Sequence, residues 1–194
     1  MHIFLSEEIW EFDLAAALTE ISEQRREQAL KFRHELGQRL CVVAYQLLKR
    51  GLKEVYGMEG NPEFTYNEHG KPSIAGHPEI FFNLSHCKEA AICAISDRPI
   101  GVDVESVRAF NDSLVRYTMN DEEIHEIESA EDRTVAFIQL WTKKEAALKL
   151  IGTGISKDMK QVLCQKGIHF ETFTHSQGRY VYSVCQFVSE EEKK

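Results

Sequence analysis

The chain lacks several features by which large classes of protein are recognised. No apolar run among its 194 residues approaches membrane-spanning length, and 31 acidic against 23 basic residues give a formal net charge of −8. Without an excess of positive charge, a broad nucleic-acid surface is not expected. A Walker loop and the G-x-G-x-x-G dinucleotide fingerprint are also missing. We therefore expect no nucleic-acid partner, no membrane partner and neither of the common nucleotide-binding loops.

Cysteine is too sparse and too scattered for a zinc site or a set of disulfides. The 5 cysteines are odd in number and form no Cys-x-x-Cys pair or histidine-rich cluster. The first residues, MHIFLSEEIWEFDL, place three glutamates where a secretory signal needs a basic and then an apolar stretch. These observations predict reduced, mostly buried cysteines in a soluble, cytoplasmic protein.

The order of periodic segments predicts an α+β fold. Apolar residues recur at helical spacing from Gln38 to Leu52, which predicts a core-facing helix ending near Gly51, after helices capped by Ser6 and Ser22. Strand-like segments follow, namely FTYNEHGKPSI around a turn, EIFFNLSH and AAICAIS. A second helix, VAFIQLWTKKEAALKLIG, precedes a hairpin of GIHFETFT and RYVYSVCQF. The final SEEEKK is expected to be a frayed tail.

Because helix precedes strands in both halves, we expect two similar, pseudo-symmetric lobes, residues 1–98 and 99–194. Each lobe should be a small, mainly antiparallel sheet packed on helices. Sequence identity between the halves is too low to establish a repeat.

Two carboxylates interrupt an apolar segment near the middle of the chain, RPIGVDVESVR, residues 98–108. In a strand, Val102 and Val104 would line one face, while Asp103 and Glu105 would line the other. Like charges about 7 Å apart on one buried face repel each other unless a cation or hydrogen-bond donors offset the repulsion. The residues alone leave two interpretations open. One is a half-solvated strand whose acids face water, and the other is a site for a hard cation such as magnesium.

Three further polar groups could have either an ordinary or a functional role. On the second predicted helix, Glu145 and Lys149 are spaced as in an exposed ion pair worth about 0.2 to 0.5 kcal/mol, and Lys144 lies beside them. Ser85 and His86 end an apolar strand, but adjacent strand side chains diverge, so no catalytic dyad is expected. The HGKPS stretch, which contains Gly70, Lys71 and Pro72, is typical of an ordinary surface turn, although a functional role is also open.

Four stretches, GKPSI, FNLSH, IGVDVE and LWTKKEAALKL, occur in an order and spacing that resemble the 4′-phosphopantetheinyl transferase superfamily, in its surfactin-synthetase-activating type. The resemblance spans about residues 68–152 and is most specific in the G-V-D-V-E strand and the W-T-x-K-E-x-x-x-K helix. It implies transfer of 4′-phosphopantetheine from coenzyme A to a serine of an apo acyl or peptidyl carrier protein, with release of adenosine 3′,5′-bisphosphate. It also implies an active site at the interface of the lobes.

Carried over position by position, the resemblance implies a role for each matching residue. Asp103, Glu105 and Glu145 would surround magnesium, for which manganese could substitute, at the coenzyme pyrophosphate. Lys149 and Lys144 would neutralise phosphate charge, and Glu145 could also be the base that removes the serine proton. The remaining coenzyme contacts would be Ser85 and His86 at the phosphates, Gly70, Lys71 and Pro72 on the adenine side, and Arg39 at the 3′-phosphate, with Arg26 and Lys31 as weaker candidates.

Two other functions remain open at this point: a magnesium-dependent coenzyme A pyrophosphohydrolase and a non-catalytic coenzyme A binding module. We expect the protein to be a monomer. Because carrier proteins usually present acidic helices, an acidic enzyme needs a local basic or apolar patch. The segment after the strand of Asp103 could supply one, or could be an ordinary, partly buried linker helix. Its members are Arg108, Phe110, Leu114, Val115, Arg116, Tyr117 and Met119.

Overall fold

The computed structural model describes residues 1–152 and 159–188 of the chain. The chain divides into two compact units, Met1–Arg98 and Pro99–Lys194. Both units combine helices with small antiparallel sheets, so the predicted α+β class is confirmed. The tail predicted at the carboxyl end lies outside the described residues.

The first unit places one long helix on a three-stranded sheet. Strands β1, β5 and β4 form an antiparallel sheet in that order, and β2 pairs with β3 in a separate hairpin. The core lies between the sheet and α3, where apolar residues of the helix stripe such as Leu47 and Leu48 cluster with Phe82 and Ile95. The elements are β1 (His2–Ser6), α1 (Leu14–Glu20), α2 (Glu23–Leu30), α3 (Glu35–Tyr56), β2 (Phe64–Tyr66), β3 (Pro72–Ile74), β4 (Phe81–His86) and β5 (Ala91–Ser96).

Helix α3 is longer than the sequence predicted. It ends before Gly57, which has the left-handed conformation typical of a helix end (φ 68°), so the predicted end at Gly51 is wrong. Gly51 lies inside the helix. The side chains of Phe4 and Ile95 fill the space that a Cβ atom would need at this position. Glycine at this position therefore permits close packing of the helix on the sheet.

Of the two predicted caps, one is present. Ser22 precedes α2, and its hydroxyl accepts a hydrogen bond from the backbone N–H of Arg25. Helix α1 is capped by Asp13, not by Ser6. Ser6 instead ends β1, and its hydroxyl accepts a hydrogen bond from the backbone N–H of Glu8.

The second unit also places a long helix on a three-stranded antiparallel sheet, in the order β6, β8 and β7. In this sheet Asp103 of β6 lies directly opposite Ser183 of β8. The predicted acidic stretch between strand and helix forms two short helices. The elements are β6 (Ile100–Ser106), α4 (Asp112–Thr118), α5 (Asp121–Ser129), α6 (Arg133–Ile151), a 3₁₀ helix (Met159–Cys164), β7 (Ile168–Thr174) and β8 (Tyr180–Phe187).

Helix α6 ends where the sequence predicted and begins at Arg133, two residues before the predicted start at Val135. Asp132 caps its first turn by accepting backbone hydrogen bonds, and Gly152 follows its last residue in the left-handed conformation (φ 78°). The helix is buried on more than one side, and its buried residues include polar ones as well as the expected Phe137, Leu140 and Leu148. Polar side chains on a buried helix need partners within the protein, and these partners form the candidate site.

Two further expectations concern the whole chain. All five cysteines carry free thiols, and four of them are buried while Cys164 is exposed, as the sequence predicted. Among the helices of the described residues, none combines the length and the apolar character that crossing a membrane requires.

Candidate functional site

The acidic face of β6 is covered by helix α6. A Cβ atom at Gly101 would collide with the carbonyl oxygen of Ala146 and the backbone of Leu150, so glycine permits the helix to lie against the strand here. On the same strand face, only 4% of Asp103 is exposed. The interpretation of a half-solvated strand whose acids face water is therefore wrong.

Helix α6 presents three polar side chains toward the acids of β6. Trp141, Glu145 and Lys149 are four residues apart and therefore share one face of the helix. The ammonium group of Lys149 lies 2.7 Å from Oδ1 of Asp103. The indole Nε1 of Trp141 donates a hydrogen bond of 3.3 Å to Oε1 of Glu105. The structure thus brings together Asp103, Glu105, Glu145 and Lys149, and the interpretation of Lys149 as half of an exposed helix pair is wrong.

Burial and neighbouring negative charge both disfavour the ionised state of Glu105 and Glu145. Burial raises the pKa of Glu105, the charge of Asp103 raises it further, and the hydrogen bond from Trp141 and the charges of Arg108 and Lys149 act in the opposite direction. Burial likewise raises the pKa of Glu145, and the charges of Asp103 and Glu105 add to the rise while Lys149 reduces it. A group of acids that resists full ionisation is typical of a site that gains a cation.

The donor set suits a hard divalent cation in its chemistry. Carboxylate oxygens are the ligands that magnesium prefers, and a cation would relieve the repulsion among the three acids. Across residues 1–152 and 159–188, no three or more His, Cys, Asp or Glu side chains are placed as a group that could hold a metal ion. Two of the acids instead contact protein donors, namely Asp103 with Lys149 and Glu105 with Trp141. The metal assignment for Asp103, Glu105 and Glu145 stays a prediction.

Three hydroxyl groups, two buried (Thr142 and Ser183) and one half-buried (Thr172), join α6 to the sheet beside these acids. The Thr142 and Ser183 hydroxyl oxygens are 2.8 Å apart, and those of Thr172 and Ser183 are 2.9 Å apart. Because Ser183 pairs with Asp103 across the two strands, these hydroxyl groups lie next to the acids of β6. Buried polar contacts of this kind favour one position of the helix on the sheet.

Lys144 does not lie beside Asp103 and Glu105, the acids of β6. Its side chain is 0% exposed, and its ammonium group lies 2.7 Å from Oε1 of Glu123 and donates a 2.8 Å hydrogen bond to the carbonyl oxygen of Met159. Glu123 also forms the capping box of α5 by accepting the backbone N–H of Asn120. Lys144 therefore connects α5, α6 and the 3₁₀ helix, and this geometry does not support its predicted role at a phosphate.

In the first unit, the predicted 3′-phosphate residue already has several partners. The guanidinium group of Arg39 lies 2.8 Å from a carboxylate oxygen of Glu35 and donates a 2.9 Å hydrogen bond to the carbonyl oxygen of Phe12. It also lies 5.0 Å from the ring centroid of Trp10. Arg39 thus ties the segment after β1 to α3. Of the weaker candidates, Arg26 is half-buried and pairs with Glu23, and Lys31 is an exposed residue at the end of α2.

The other predicted coenzyme residues of the first unit lie at the ends of strands. Ser85 is buried and His86 is exposed at the end of β4, so adjacent side chains diverge as expected. The ring of His86 lies edge-on to Phe32, with centroids 6.4 Å apart. Gly70 and Lys71 belong to the turn of the β2–β3 hairpin, and Pro72 begins β3, paired with Tyr66. The role of these residues toward a coenzyme stays a prediction.

Comparison with known proteins assigns the second unit. The family model described as the 4′-phosphopantetheinyl transferase superfamily matches residues 99–190. The matched residues include the acids of β6 and the side chains of α6 that face them. We call these two sets the facing rows: Asp103 and Glu105 on β6, and Trp141, Glu145 and Lys149 on α6. The second unit belongs to this superfamily.

Individual members of the superfamily resemble a larger part of the chain. The chain is 33% identical over 154 residues to the 4′-phosphopantetheinyl transferase HetI of Nostoc sp., a match of 75% of this chain and 64% of that protein. It is 30% identical over 139 residues to 4′-phosphopantetheinyl transferase psf-1 of Bacillus pumilus, or 70% of this chain and 60% of that protein. Bacillus subtilis Sfp is 27% identical over 139 residues, 70% of this chain and 62% of that protein. The chain spans about three fifths of the length of these curated relatives.

The superfamily unit also contains contacts that the sequence reading missed. No functional role was predicted for Trp141 from the sequence, although its spacing from Glu145 and Lys149 places all three on one face. Glu123 was not singled out, because the contact that gives it a role joins residues far apart in sequence. No periodic signal could have identified Glu123.

The segment proposed as a carrier-binding patch is an ordinary helix on one side and exposed on the other. Val115 and Met119 are buried, and Phe110 stacks on Phe137 with ring centroids 4.3 Å apart. Tyr117 is 72% exposed, and Arg116 beside it is also exposed. The segment thus contains an aromatic and a basic group at the surface of the superfamily unit.

Proposed function

We propose that the protein transfers the 4′-phosphopantetheine group of coenzyme A to a serine of an apo acyl or peptidyl carrier protein and releases adenosine 3′,5′-bisphosphate. Its enzyme class would be holo-[acyl-carrier-protein] synthase. The observation that carries the proposal is the pair of facing rows in the superfamily unit, with three acids and a lysine gathered on buried elements. Such a set is more than a fold needs for stability, because burial and the charge of Asp103 raise the pKa of both Glu105 and Glu145.

The acids and the lysine have complementary tasks in this reaction. Asp103, Glu105 and Glu145 would hold magnesium, which supplies positive charge beside the coenzyme pyrophosphate when it is bound. Lys149, which is 30% exposed and pairs with Asp103, would turn toward phosphate oxygens and stabilise the negative charge that grows on the leaving bisphosphate. The serine hydroxyl attacks phosphorus, the phosphoanhydride bond breaks, and the serine proton must pass to a base.

Glu145 is the proposed group for the proton. It is half-buried, and its raised pKa makes it a stronger base than an ordinary surface glutamate. A carboxylate that ligates a metal fully is a poor base, so transfer through a water molecule is the more consistent route. Lys144 is not included, because its ammonium group already contacts Glu123 and Met159.

The first unit would contribute the remaining coenzyme contacts. This part rests on the sequence resemblance, which assigns Ser85 and His86 to the phosphates and the turn at Gly70, Lys71 and Pro72 to the adenine side. Arg39 would contact the 3′-phosphate, although its guanidinium group already contacts Glu35 and Phe12. The carrier would meet the exposed residues around Tyr117 and Arg116. A cytoplasmic, monomeric enzyme is part of the same proposal.

One experiment tests the function against its alternatives. The protein is incubated with coenzyme A, magnesium and an apo carrier, and the carrier is then weighed intact while the coenzyme products are separated. A carrier heavier by one phosphopantetheine group, with adenosine 3′,5′-bisphosphate in equal amount, supports the transferase. Cleavage of coenzyme A without a carrier would indicate a pyrophosphohydrolase, and binding without any product a non-catalytic module. Activity should require magnesium or manganese, with calcium poor, because compact octahedral geometry favours the smaller ions.

A further inference from the structure

The indole of Trp141 is the group whose placement the proposed reaction does not yet use. Its Nε1 donates a 3.3 Å hydrogen bond to Oε1 of Glu105, so a neutral donor from α6 contacts one of the three acids of the site. The other acid of β6, Asp103, receives the charged donor Lys149 from the same helix face. Each strand acid thus has its own donor on α6, with Glu145 between the two donors in sequence.

The indole is held in place by aromatic packing. Trp141 stacks on Phe137 with ring centroids 6.1 Å apart and an interplanar angle of 26°. Phe137 in turn stacks on Phe110, which follows β6 in the chain. The column of Phe110, Phe137 and Trp141 therefore links the segment after β6 to the helix that faces it. A ring fixed on one side by stacking has little freedom to turn its N–H away from Glu105.

We propose that Trp141 is a positioning residue that orients the Glu105 carboxylate for a divalent cation. This inference rests on the proposed function, since it concerns the same site. A donor that occupies one carboxylate oxygen fixes the rotation of the group and directs its remaining lone pairs. Removal of such an outer partner from a metal ligand typically costs about 10- to 100-fold in metal affinity or activity. Trp141 would therefore set metal affinity through Glu105 without touching the metal.

The test compares two conservative variants of the full-length protein by isothermal titration with Mn²⁺ alone. Trp141→Phe keeps an aromatic ring for stacking on Phe137 but removes the N–H. Trp10→Phe is the matched control, because Trp10 is 59% exposed and belongs to the first unit. We expect the Mn²⁺ dissociation constant to rise about 10-fold or more in Trp141→Phe and to stay unchanged in Trp10→Phe.

A double-mutant cycle separates positioning from general damage to the fold. If Trp141 acts through Glu105, then Trp141→Phe should weaken Mn²⁺ binding in the wild-type background but cause no further loss in the Glu105→Gln background. A purely structural effect would weaken binding equally in both backgrounds. Equal Mn²⁺ affinity of wild type and Trp141→Phe, or additive losses in the cycle, would overturn the inference.

Fluorescence keeps the test decisive if Trp141→Phe does not fold. The Trp10→Phe protein has Trp141 as its single indole, since the chain has 2 tryptophans. Titration with Mg²⁺ should change its emission with the midpoint that calorimetry of the same variant with Mg²⁺ gives, and an emission that does not respond would contradict the inference. If wild type binds no divalent cation at all, the proposed metal site fails together with this inference. If wild type binds Mn²⁺ and modifies a carrier while Trp141→Phe binds equally well, only this inference fails.

Discussion

Lys149 and Asp103 form an ion pair across the contact between α6 and β6, with 2.7 Å between the ammonium nitrogen and Oδ1. Asp103 is buried, and Lys149 is only partly exposed. In this state the lysine offsets the negative charge of the acid that has the least access to water. A divalent cation at the same acids would take over that task and leave Lys149 available for phosphate oxygens.

Replacing Lys149 should therefore affect both turnover and stability. In Lys149→Met, kcat should fall by about 10²-fold, because a cation that stabilises charge in the transition state is lost. The free energy of unfolding should fall by about 1 to 3 kcal/mol, because a buried carboxylate loses its partner. An exposed helix pair would cost only about 0.5 kcal/mol. Urea unfolding and carrier modification measure the two effects.

Lys143→Met is the control for Lys149→Met. Lys143 lies on the same helix, two residues from Trp141 and therefore away from the face that bears Glu145. It should keep nearly normal turnover. If Lys149→Met were as active as this control, Lys149 would have no role in the reaction.

A second prediction concerns the buried pair of Lys144 and Glu123. Lys144→Met should destabilise the protein by about 3 to 5 kcal/mol, because it leaves Glu123 charged and buried without its partner. The double variant Glu123→Gln with Lys144→Met should recover most of that stability. Its KM for coenzyme A should equal that of wild type. Glutamine still fits the capping box of α5. A double variant that regains stability but not activity would support the contact of Lys144 with phosphate that the resemblance implies.

The case of Lys144 illustrates how far the sequence could predict the site. Lys144 lies four residues from both Leu140 and Leu148, and this helical spacing places it in line with apolar residues that mark a buried stripe. Its assignment to the phosphates came from the resemblance to the superfamily, although consecutive helical residues such as Lys144 and Glu145 face different directions. The burial could thus have been predicted. The partner could not, because Glu123 belongs to another helix and no local pattern relates the two.

Local patterns succeeded where geometry depends on a few neighbouring residues. The alternation in β6, the cap at Ser22 and the end of α6 at Gly152 follow from spacing and from backbone preferences of single residues. The end of α3 was mispredicted because Gly51 meets a tertiary requirement, contact with Phe4 and Ile95, which has no local signature. The partners of Arg39 escaped prediction for the same reason, because the carbonyl group of Phe12 is 27 residues away.

A third prediction tests the close contact of helix and strand. Gly101→Ala would place a Cβ atom against the backbone of Ala146 and Leu150, so the helix must shift or the strand must bend. Overpacking of this kind costs about 1 to 3 kcal/mol, which urea unfolding would detect. Because α6 also bears Glu145 and Lys149, turnover should fall in parallel. Native stability in Gly101→Ala would show that α6 does not rest on β6 as closely as described.

The last prediction concerns Glu145, whose substitution separates a metal ligand from a base. Glu145→Gln removes one of three mutually repelling charges, so the variant should melt at a higher temperature than wild type in the presence of a chelator. The increase in melting temperature that Mg²⁺ produces should be smaller than in wild type, because a ligand charge is lost. If Glu145 is mainly the base, turnover falls by about 10² to 10⁴-fold and excess Mg²⁺ does not restore it. If it is mainly a ligand, high Mg²⁺ restores much of the rate.

The control is Glu126→Gln, which replaces an exposed acid on α5 and should behave as wild type in every assay. Since Glu145 lies between Trp141 and Lys149 on the helix face, we expect the ligand role to dominate, with proton transfer through water as a smaller contribution. Wild-type turnover of Glu145→Gln at low Mg²⁺ would contradict both roles and the assignment of the facing rows as the active site.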